Sequence, residues 1–418
     1  MNFQELLSEK TCGCGRAHSC SIKSVLIDEG VLRELPTVLR DYERILLVAD
    51  QNTYAACGKA AAALLDGRIQ HSLIYREDGV LIPNEAAIAR LKSALSPETD
   101  LILGVGSGVI QDLCKYVSFT EKLPYSIVAT APSMDGYASV GAALITDNMK
   151  VTYSAHVPQV ILGDVNVLKD APMELIQSGY GDILGKYSCL NDWKLSALVN
   201  QEYFCPYVYD LTNDMLHKIK DLGPQLRNRE PQAIKLLIEA LVGVGIAMAY
   251  VGNSRPASGS EHHLAHFFEV VGILNKEPYF LHGIDVAYSA VWVQKLRDRI
   301  LALEELPESW SFRRDDWVRK IQEIYGIAAE GIIALQDRMG WYEKNWLELY
   351  RSKWPEIKAV LAEASSVTEL SRYLQSVDLN VRCFEQQYGE EKLENAVFYA
   401  KDLKDRYTVL WLYFILFA

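Results

Sequence analysis

Three of the eight histidines in this 418-residue sequence lie within five residues of one another. They are His262, His263 and His266 in the stretch "SGSEHHLAHFFE", Ser258 to Glu269. If Gly259 to Leu274 is helical, His262 and His266 stand at i and i+4 on one face, and His263 points elsewhere. Such a pair can hold a divalent cation, or one imidazole can bind the ion while the other moves protons. On its own the pair reads equally as a polar helix face. Two further segments strengthen the metal reading. His282 opens a predicted helix in "YFLHGIDVA", and Asp182 lies in "SGYGDILGKY", placed at the start of the first long helix after the strands fade. One carboxylate and two imidazoles with an open position form the ligand set of a catalytic divalent metal, which acts as a Lewis acid.

A second constellation is rich in glycine. "LILGVGSGVIQDLCKY", Leu101 to Tyr116, reads as strand, turn and helix, with Gly104, Gly106 and Gly108 at the turn. The absent side chains let backbone approach a phosphate, and the helix N-terminus offers free N–H groups and a positive dipole end. The spacing is not G-x-G-x-x-G, and a purely structural turn is the alternative. Asp50 ends the strand "ILLVAD" and could accept from a ribose or cap the next helix. "ATAPSMDGYAS", Ala129 to Ser139, follows the next strand and carries one acid, Asp135.

The elements that must position these residues follow two rhythms. Apolar, β-branched runs begin near 24, 44, 71, 100 and 125, with helical stretches at 53–65, 84–95 and 109–118. Strand–helix alternation of this kind predicts βαβ units and a mainly parallel sheet covered by helices, with ligands at the carboxyl ends of the strands. From 140 to 164 the pattern predicts a hairpin turning at Asp147-Asn148, then one more strand. After Pro172 helical patterns dominate: 172–195, 232–250, 260–274, 283–303, 314–337, 341–362, 367–376 and 390–404. The fold class is therefore an α/β N-terminal domain followed by an all-α C-terminal domain. The expected division is a cysteine-containing segment 1–23, an α/β domain 24–168 and a helical domain 169–418.

Composition narrows the function. A formal charge of −12, from 54 acidic and 42 basic residues, argues against a nucleic-acid partner. No signal peptide is visible at the start, which points to the cytoplasm. Ala233 to Gly252 is apolar enough to suggest a membrane span, but it contains Lys235 and Glu239 and reads better as a buried helix. The terminal "TVLWLYFILFA" is too short to span and reads as a helix or strand docked on the core or on a second subunit. Of eight cysteines, five are scattered, as reduced thiols would be. The others cluster: Cys12, Cys14, His18 and Cys20 lie within nine residues and could hold zinc, although the spacing matches no strong template. A free hairpin segment is the default reading.

The order strand–"GVGSGVIQD"–helix, "TAPSMDGYAS", "GYGDILGKY", "SGSEHHLAHFFE", "HGIDVA" resembles the sn-glycerol-1-phosphate dehydrogenases. More broadly it resembles the superfamily of iron-type alcohol dehydrogenases, glycerol dehydrogenases and dehydroquinate synthases. The resemblance runs collinearly from about Ser24 to Arg299. "SGSEHH" and "SMDGYAS" belong to the glycerol-phosphate branch; the glycine turn and "HG" are shared more widely. The C-terminal length and cysteine-containing N-terminus are similar to the bacterial members.

The resemblance implies a dehydroquinate synthase-like fold in which 24–168 binds the dinucleotide and 169–418 binds metal and substrate. It implies NAD or NADP and one divalent metal, zinc or nickel with iron as an alternative. Asp182, His262 and His282 match metal ligands. Asp135, Asp182 and His266 match substrate contacts, with Asp135 and His266 catalytic. Gly108, Val109, Ile110, Gln111 and Asp112, Thr130, Ala131, Pro132 and Ser133, and Ser139 match cofactor segments; His263 matches nothing functional and is assigned to surface or packing. The implied reaction is reduction of dihydroxyacetone phosphate to sn-glycerol 1-phosphate by a cytoplasmic homo-oligomer, a dimer. The alternatives are a glycerol or other polyol dehydrogenase and, less favoured, a dehydroquinate synthase-like lyase. Two departures stand out. The family's H-G-E is here His282-Gly283-Ile284-Asp285, which displaces an acid behind the metal ligands, and its G-G-G loop is Gly104-Val105-Gly106-Ser107-Gly108.

Overall fold

Alternate residues of the apolar runs face opposite sides of one sheet in the computed structural model, as a period of two requires. The structure describes residues 1–77, 79, 81–146 and 149–418, with Met149 by its backbone alone. A two-residue pair, β1 (Lys10–Thr11) and β2 (Ala17–His18), precedes the sheet strands β3 (Ser24–Asp28), β4 (Ile45–Asp50), β5 (Ile69–Tyr75), β6 (Leu101–Gly106) and β7 (Tyr125–Ala129). β8 (Gly141–Thr146) and β9 (Met149–Ser154) pair as an antiparallel hairpin, and β10 (Val160–Asp164) returns to the sheet. The turn expected at Asp147-Asn148 lies outside the described residues. The main sheet is parallel throughout, in the order β3-β10-β7-β6-β4-β5. Ile45, Leu47, Leu101 and Leu103 pack on one face, while Leu46, Val48 and Ile102 pack on the other. Both faces are covered, so the central strands can be apolar at every position.

The strand order reverses between β4 and β6. The chain runs outward from β4 to β5, then crosses back to lay β6 on the other side of β4. A crevice opens at such a switch point, at the carboxyl ends of the strands. Asp50 ends β4 on one side of it and Gly106 ends β6 on the other.

The C-terminal part is helical. Helix α1 (Gly108–Thr120) follows β6; beyond the sheet come α2 (Met173–Leu184), α3 (Lys186–Asn200), α4 (Pro206–Ile219), α5 (Pro231–Val251), α6 (Ser260–Asn275) and α7 (His282–Leu301). The single helix read at 172–195 is two, because the chain bends at Gly185. α4 has no counterpart in the sequence pattern; its stretch "PYVYDLTNDMLHKI" is rich in β-branched, aromatic and Asx residues, and packing against α5 and α3 overrides that weak propensity. Among the described residues α5 alone is long and apolar enough to cross a membrane, and it is buried in the core. The terminal apolar stretch is a helix, Val409–Phe417, docked on the same core.

The N-terminal segment is not free. Cys12, Cys14 and His18 pack against Cys205, which precedes α4, whereas Cys20 does not join them. Cys20 is buried in the core instead.

Candidate active site

Helix α6 starts at Ser260 because its first N–H groups find carboxylates. Asp192 of α3 accepts from the Ser260 N–H at 2.7 Å, and Glu261 accepts from the Gly259 N–H at 2.8 Å. Arg297 of α7 holds the other Asp192 oxygen at 3.1 Å. These anchors satisfy N-terminal donors with buried anions and fix the face that carries His262 and His266.

Asp182 does not open a helix, contrary to the sequence reading. It sits near the C-terminal end of α2, buried, and reaches the α6 face through a close helix crossing. His262 Nε2 lies 3.5 Å from Asp182 Oδ1. The His262 and His282 rings are 5.2 Å apart, and His266 is 5.3 Å from His282. Asp182, His262, His266 and His282 therefore lie in one cluster, and Asp135 joins it through Lys186.

Each candidate imidazole ligand has its Nδ1 engaged by a buried glutamate. Glu261 accepts from His262 at 2.7 Å, and Glu269 accepts from His282 at 3.1 Å. That fixes Nδ1 as the protonated nitrogen and leaves Nε2 as the lone-pair donor, the usual arrangement behind a metal-bound histidine. In ligand type, one carboxylate and two imidazoles, the expected set suits a divalent ion, but the acid-and-imidazole group whose ligand atoms all lie within 4.8 Å of one another here is His266, Glu269 and His282. Asp285, the acid displaced from the family's H-G-E, serves elsewhere and accepts from the Tyr388 hydroxyl at 2.8 Å. Glu269 stands behind His282 in its place.

Electrostatics complete the site. Burial alone would raise the Asp182 carboxyl, but Lys186, His262 and His282 more than offset it and hold it well below the usual carboxylate range. Lys186 donates to Asp135 at 2.6 Å and to Asp182 at 2.9 Å. For Asp135, burial and the Asp182 charge prevail over Lys186, and its carboxyl is raised. Burial lowers the His266 imidazole well below its ordinary value, and Lys404 and Lys150 lower it further. Burial likewise raises the Glu269 carboxyl, yet Lys150 and His282 bring it down to about 2. Glu261, Glu269 and Lys186 escaped the sequence reading although all three lie inside quoted motifs. The signal for Lys186 was its i+4 spacing from Asp182.

The glycine loop stands beside this set. Ser107 makes no side-chain cap on α1, and the first helical bond runs from the Gln111 N–H to the Ser107 carbonyl at 2.9 Å. The N–H groups of Gly108, Val109 and Ile110 are thus the free donors of this helix start. The side chains of Gln111 and Asp112 turn inward, to Tyr125 and Tyr137 and to the Ala143 N–H respectively. The Thr130 N–H ties its loop to Gly106 at 3.1 Å. Ala131, Ser133 and Ser139 are buried, Ser139 accepting from Lys115 at 3.1 Å. Asp50 acts as a helix cap, accepting from the Asn52 and Thr53 N–H groups through one oxygen. His263 is fully buried and is not a surface residue; neither ring nitrogen has a hydrogen-bond partner among the described residues.

The iron-containing alcohol dehydrogenase family matches residues 26–172. A glycerol-1-phosphate dehydrogenase (NAD(P)+) of Halalkalibacterium halodurans is 35% identical over 292 residues, 68% of this chain and 73% of the relative. Its Geobacillus stearothermophilus namesake is 33% identical over 320 residues, 73% of this chain and 79% of the relative. In fold, the chain resembles a 1,3-propanediol oxidoreductase, with TM-score 0.62 and 14% identity over 94% of this chain and 97% of that one. An archaeal halo-thermophilic alcohol dehydrogenase from a Red Sea brine pool gives TM-score 0.61 and 15% identity over 95% and 97%. The two structures speak to the fold alone; the sequence relatives, at 35% and 33% identity over 73% and 79% of their own length, show that the chain belongs to the glycerol-1-phosphate dehydrogenase family.

Proposed function

We propose that this chain is a metal-dependent, NAD(P)H-linked oxidoreductase that reduces dihydroxyacetone phosphate to sn-glycerol 1-phosphate. The observation that carries the reading is the contact between the cofactor side and the imidazole–carboxylate set. The Asp135 N–H donates to Asp182 at 3.0 Å, and Lys186 spans both carboxylates. Similarity to relatives of that name, over 68% of this chain in one case, supports the substrate.

In this reading 24–168 serves the cofactor, and 169–418 serves metal and substrate. Asp182, His262 and His282 would hold one divalent ion, zinc or nickel with iron as an alternative. When bound, the ion supplies Lewis-acid polarisation of the ketone oxygen and the reduced nicotinamide supplies the hydride. The free N–H groups of Gly108 to Ile110 would hold the pyrophosphate, with Thr130 to Ser133, Ser139 and Asp50 as the other residues on the cofactor side. Asp135 orients a substrate hydroxyl. His266, which burial keeps neutral, would donate a ring proton to the reacting oxygen as the hydride arrives at carbon and recover a proton from solvent.

The phosphate needs cations, and Lys404 is the one we assign. Its Nζ has one hydrogen bond, to Ser258 Oγ at 3.5 Å, and no carboxylate partner among the described residues. Lys150, by contrast, is already paired with Glu269 at 2.5 Å. Lys404→Ala is expected to raise the KM for dihydroxyacetone phosphate about 10- to 100-fold, the worth of about 1.4–2.8 kcal/mol of charge-assisted bonding, and to leave turnover of dihydroxyacetone unchanged. Equal effects on both substrates would remove Lys404 from the phosphate site.

A pH dependence follows. Burial first, then Arg406 and Lys150, lower the Lys404 ammonium to about 7, against the opposing pull of Glu261 and Glu269. Lys404 is therefore charged below about 7 and neutral above it in the free protein. kcat/KM for the phosphorylated ketone should fall as pH rises through that value, and the same limb should be absent with dihydroxyacetone or in Lys404→Ala.

The deciding assay follows NADH or NADPH oxidation by the metal-loaded protein with dihydroxyacetone phosphate, beside dihydroxyacetone, and NAD(P)+ reduction with glycerol. Good turnover of glycerol with none of the phosphorylated ketone would replace this reading by a polyol dehydrogenase. A cytoplasmic homodimer completes the proposal; the eight free thiols support a reducing compartment, and sedimentation velocity checks the dimer.

A further inference from the structure

We propose that Cys12, Cys14, His18 and Cys205 hold a second metal ion, a structural zinc that fastens the N-terminal hairpin to the helical half. The four ligand atoms lie within 4.8 Å of one another. Cys12 Sγ is 3.6 Å from Cys205 Sγ, Cys14 Sγ is 3.4 Å from His18 Nε2, and His18 Nε2 is 3.3 Å from Cys205 Sγ. A tetrahedral zinc with sulfur at ~2.3 Å and nitrogen at ~2.0–2.1 Å has ligand–ligand edges of roughly 3.6–3.8 Å. The three separations come close to that figure.

Each ligand is held in place by its surroundings. Cys12 and Cys14 flank a tight turn in which the Gly15 N–H donates to the Cys12 carbonyl at 3.1 Å and the Cys12 N–H to Arg16 at 3.2 Å. Gly15 sits at φ +86, which glycine accepts readily. His18 is fully buried, and its Nδ1 faces the Tyr250 carbonyl at 3.3 Å. That carbonyl accepts from Nδ1–H, which keeps the proton on Nδ1 and leaves Nε2 as a lone-pair donor toward the sulfurs. The Tyr203 hydroxyl lies 3.1 Å from Cys14 Sγ, placed to donate to a thiolate. Cys205 is fixed by Pro206, the first residue of α4.

The chemistry favours zinc in a closed site. Three thiolates and one imidazole are a soft tetrahedral set, and four protein ligands leave no position for substrate. The set shares no residue with the Asp182–His262–His282 group. Its physical purpose follows from the hairpin, since β1 and β2 have two residues each. So short a ladder is not stable alone, and the ion would join residues 193 apart in sequence, Cys12 and Cys205.

The test uses the full-length protein loaded with cobalt(II) and, separately, with zinc. The wild type should show thiolate-to-cobalt charge-transfer absorption and a sulfur shell at ~2.3 Å in zinc-edge X-ray absorption. Neither signal can come from the active-site set, which contains no cysteine, so the outcome is independent of the catalytic reading. Both signals should persist in His262→Ala. They should vanish in Cys14→Ser and Cys205→Ser, with the loss of one zinc per chain by elemental analysis. Because a serine variant may fail to fold, the wild-type spectra decide alone. No sulfur shell and no charge-transfer band in the loaded wild type overturns the proposal. So does a Cys12–Cys205 disulfide found by mass spectrometry in protein purified under reducing conditions.

Discussion

His262→Ala is expected to lose the active-site ion and roughly 10³-fold in kcat/KM together. His262 contributes the Nε2 that faces Asp182 at 3.5 Å. Removing it leaves one carboxylate and one imidazole, too few ligands for a stable open site. An ion that polarises a carbonyl is worth several kcal/mol of transition-state stabilisation, and each ~1.4 kcal/mol is a factor of ten. The same variant should retain its fold, because the carboxylates that start α6, Asp192 and Glu261, are untouched. Isothermal titration with zinc or nickel, beside the assay with dihydroxyacetone phosphate, checks both halves. Glu261→Gln and Glu269→Gln form the graded control, expected to weaken metal binding about 10- to 100-fold because each leaves the ligand in place and disturbs only its partner. Full metal content in His262→Ala would refute the ligand assignment.

Gly283→Ala is expected to damage the same site from a distance, at a cost of about 3 kcal/mol or more in stability. A Cβ at Gly283 would stand 1.9 Å from the Ser178 carbonyl oxygen of α2. One at Gly181 would stand 2.3 Å from the Gly283 carbonyl oxygen. The two helices cross backbone to backbone, and neither contact can be relieved by turning a flexible side chain. Overpacking a core costs about 1–3 kcal/mol where side chains can shift, and here a helix must. Ser178 Oγ also donates to the Ser133 carbonyl at 3.0 Å and accepts from the Gly283 N–H at 3.1 Å. Separating α2 from α7 would therefore pull Asp182 from His282 and loosen the cofactor loop as well. Urea unfolding followed by circular dichroism, with metal titration on the folded fraction, measures the two losses. A variant with unchanged midpoint and unchanged metal affinity would show that the crossing has slack.

The hydrophobic periods made the architecture legible in advance. Runs such as "RILLVAD" and "DLILGVG" are buried strands because no polar side chain interrupts them, and the i, i+4 spacing put His262 and His266 on one face of α6. Local propensity failed at α4, whose composition is that of no clear element. It also misplaced Asp182, since nothing in "SGYGDILGKY" says which end of a helix the acid occupies. Partners could not be read at all when they came from distant segments. Lys186 was visible, but its bridge from Asp182 to Asp135 was not; Glu269 was quoted, but not as the residue behind His282.

The residue types and their order were enough to name the chemistry: one carboxylate and two imidazoles for a divalent ion, a glycine turn for a pyrophosphate, and soft ligands near the N-terminus. Only packing decided which groups meet. Glycines at the α2–α7 crossing bring Asp182 to His282, and the approach of α4 to the hairpin selects Cys205 over Cys20 as the fourth ligand. Periodicity is a property of a few adjacent residues and survives in the linear chain. Contact between remote helices depends on how all the faces fill the core at once, and that exists only in the folded protein.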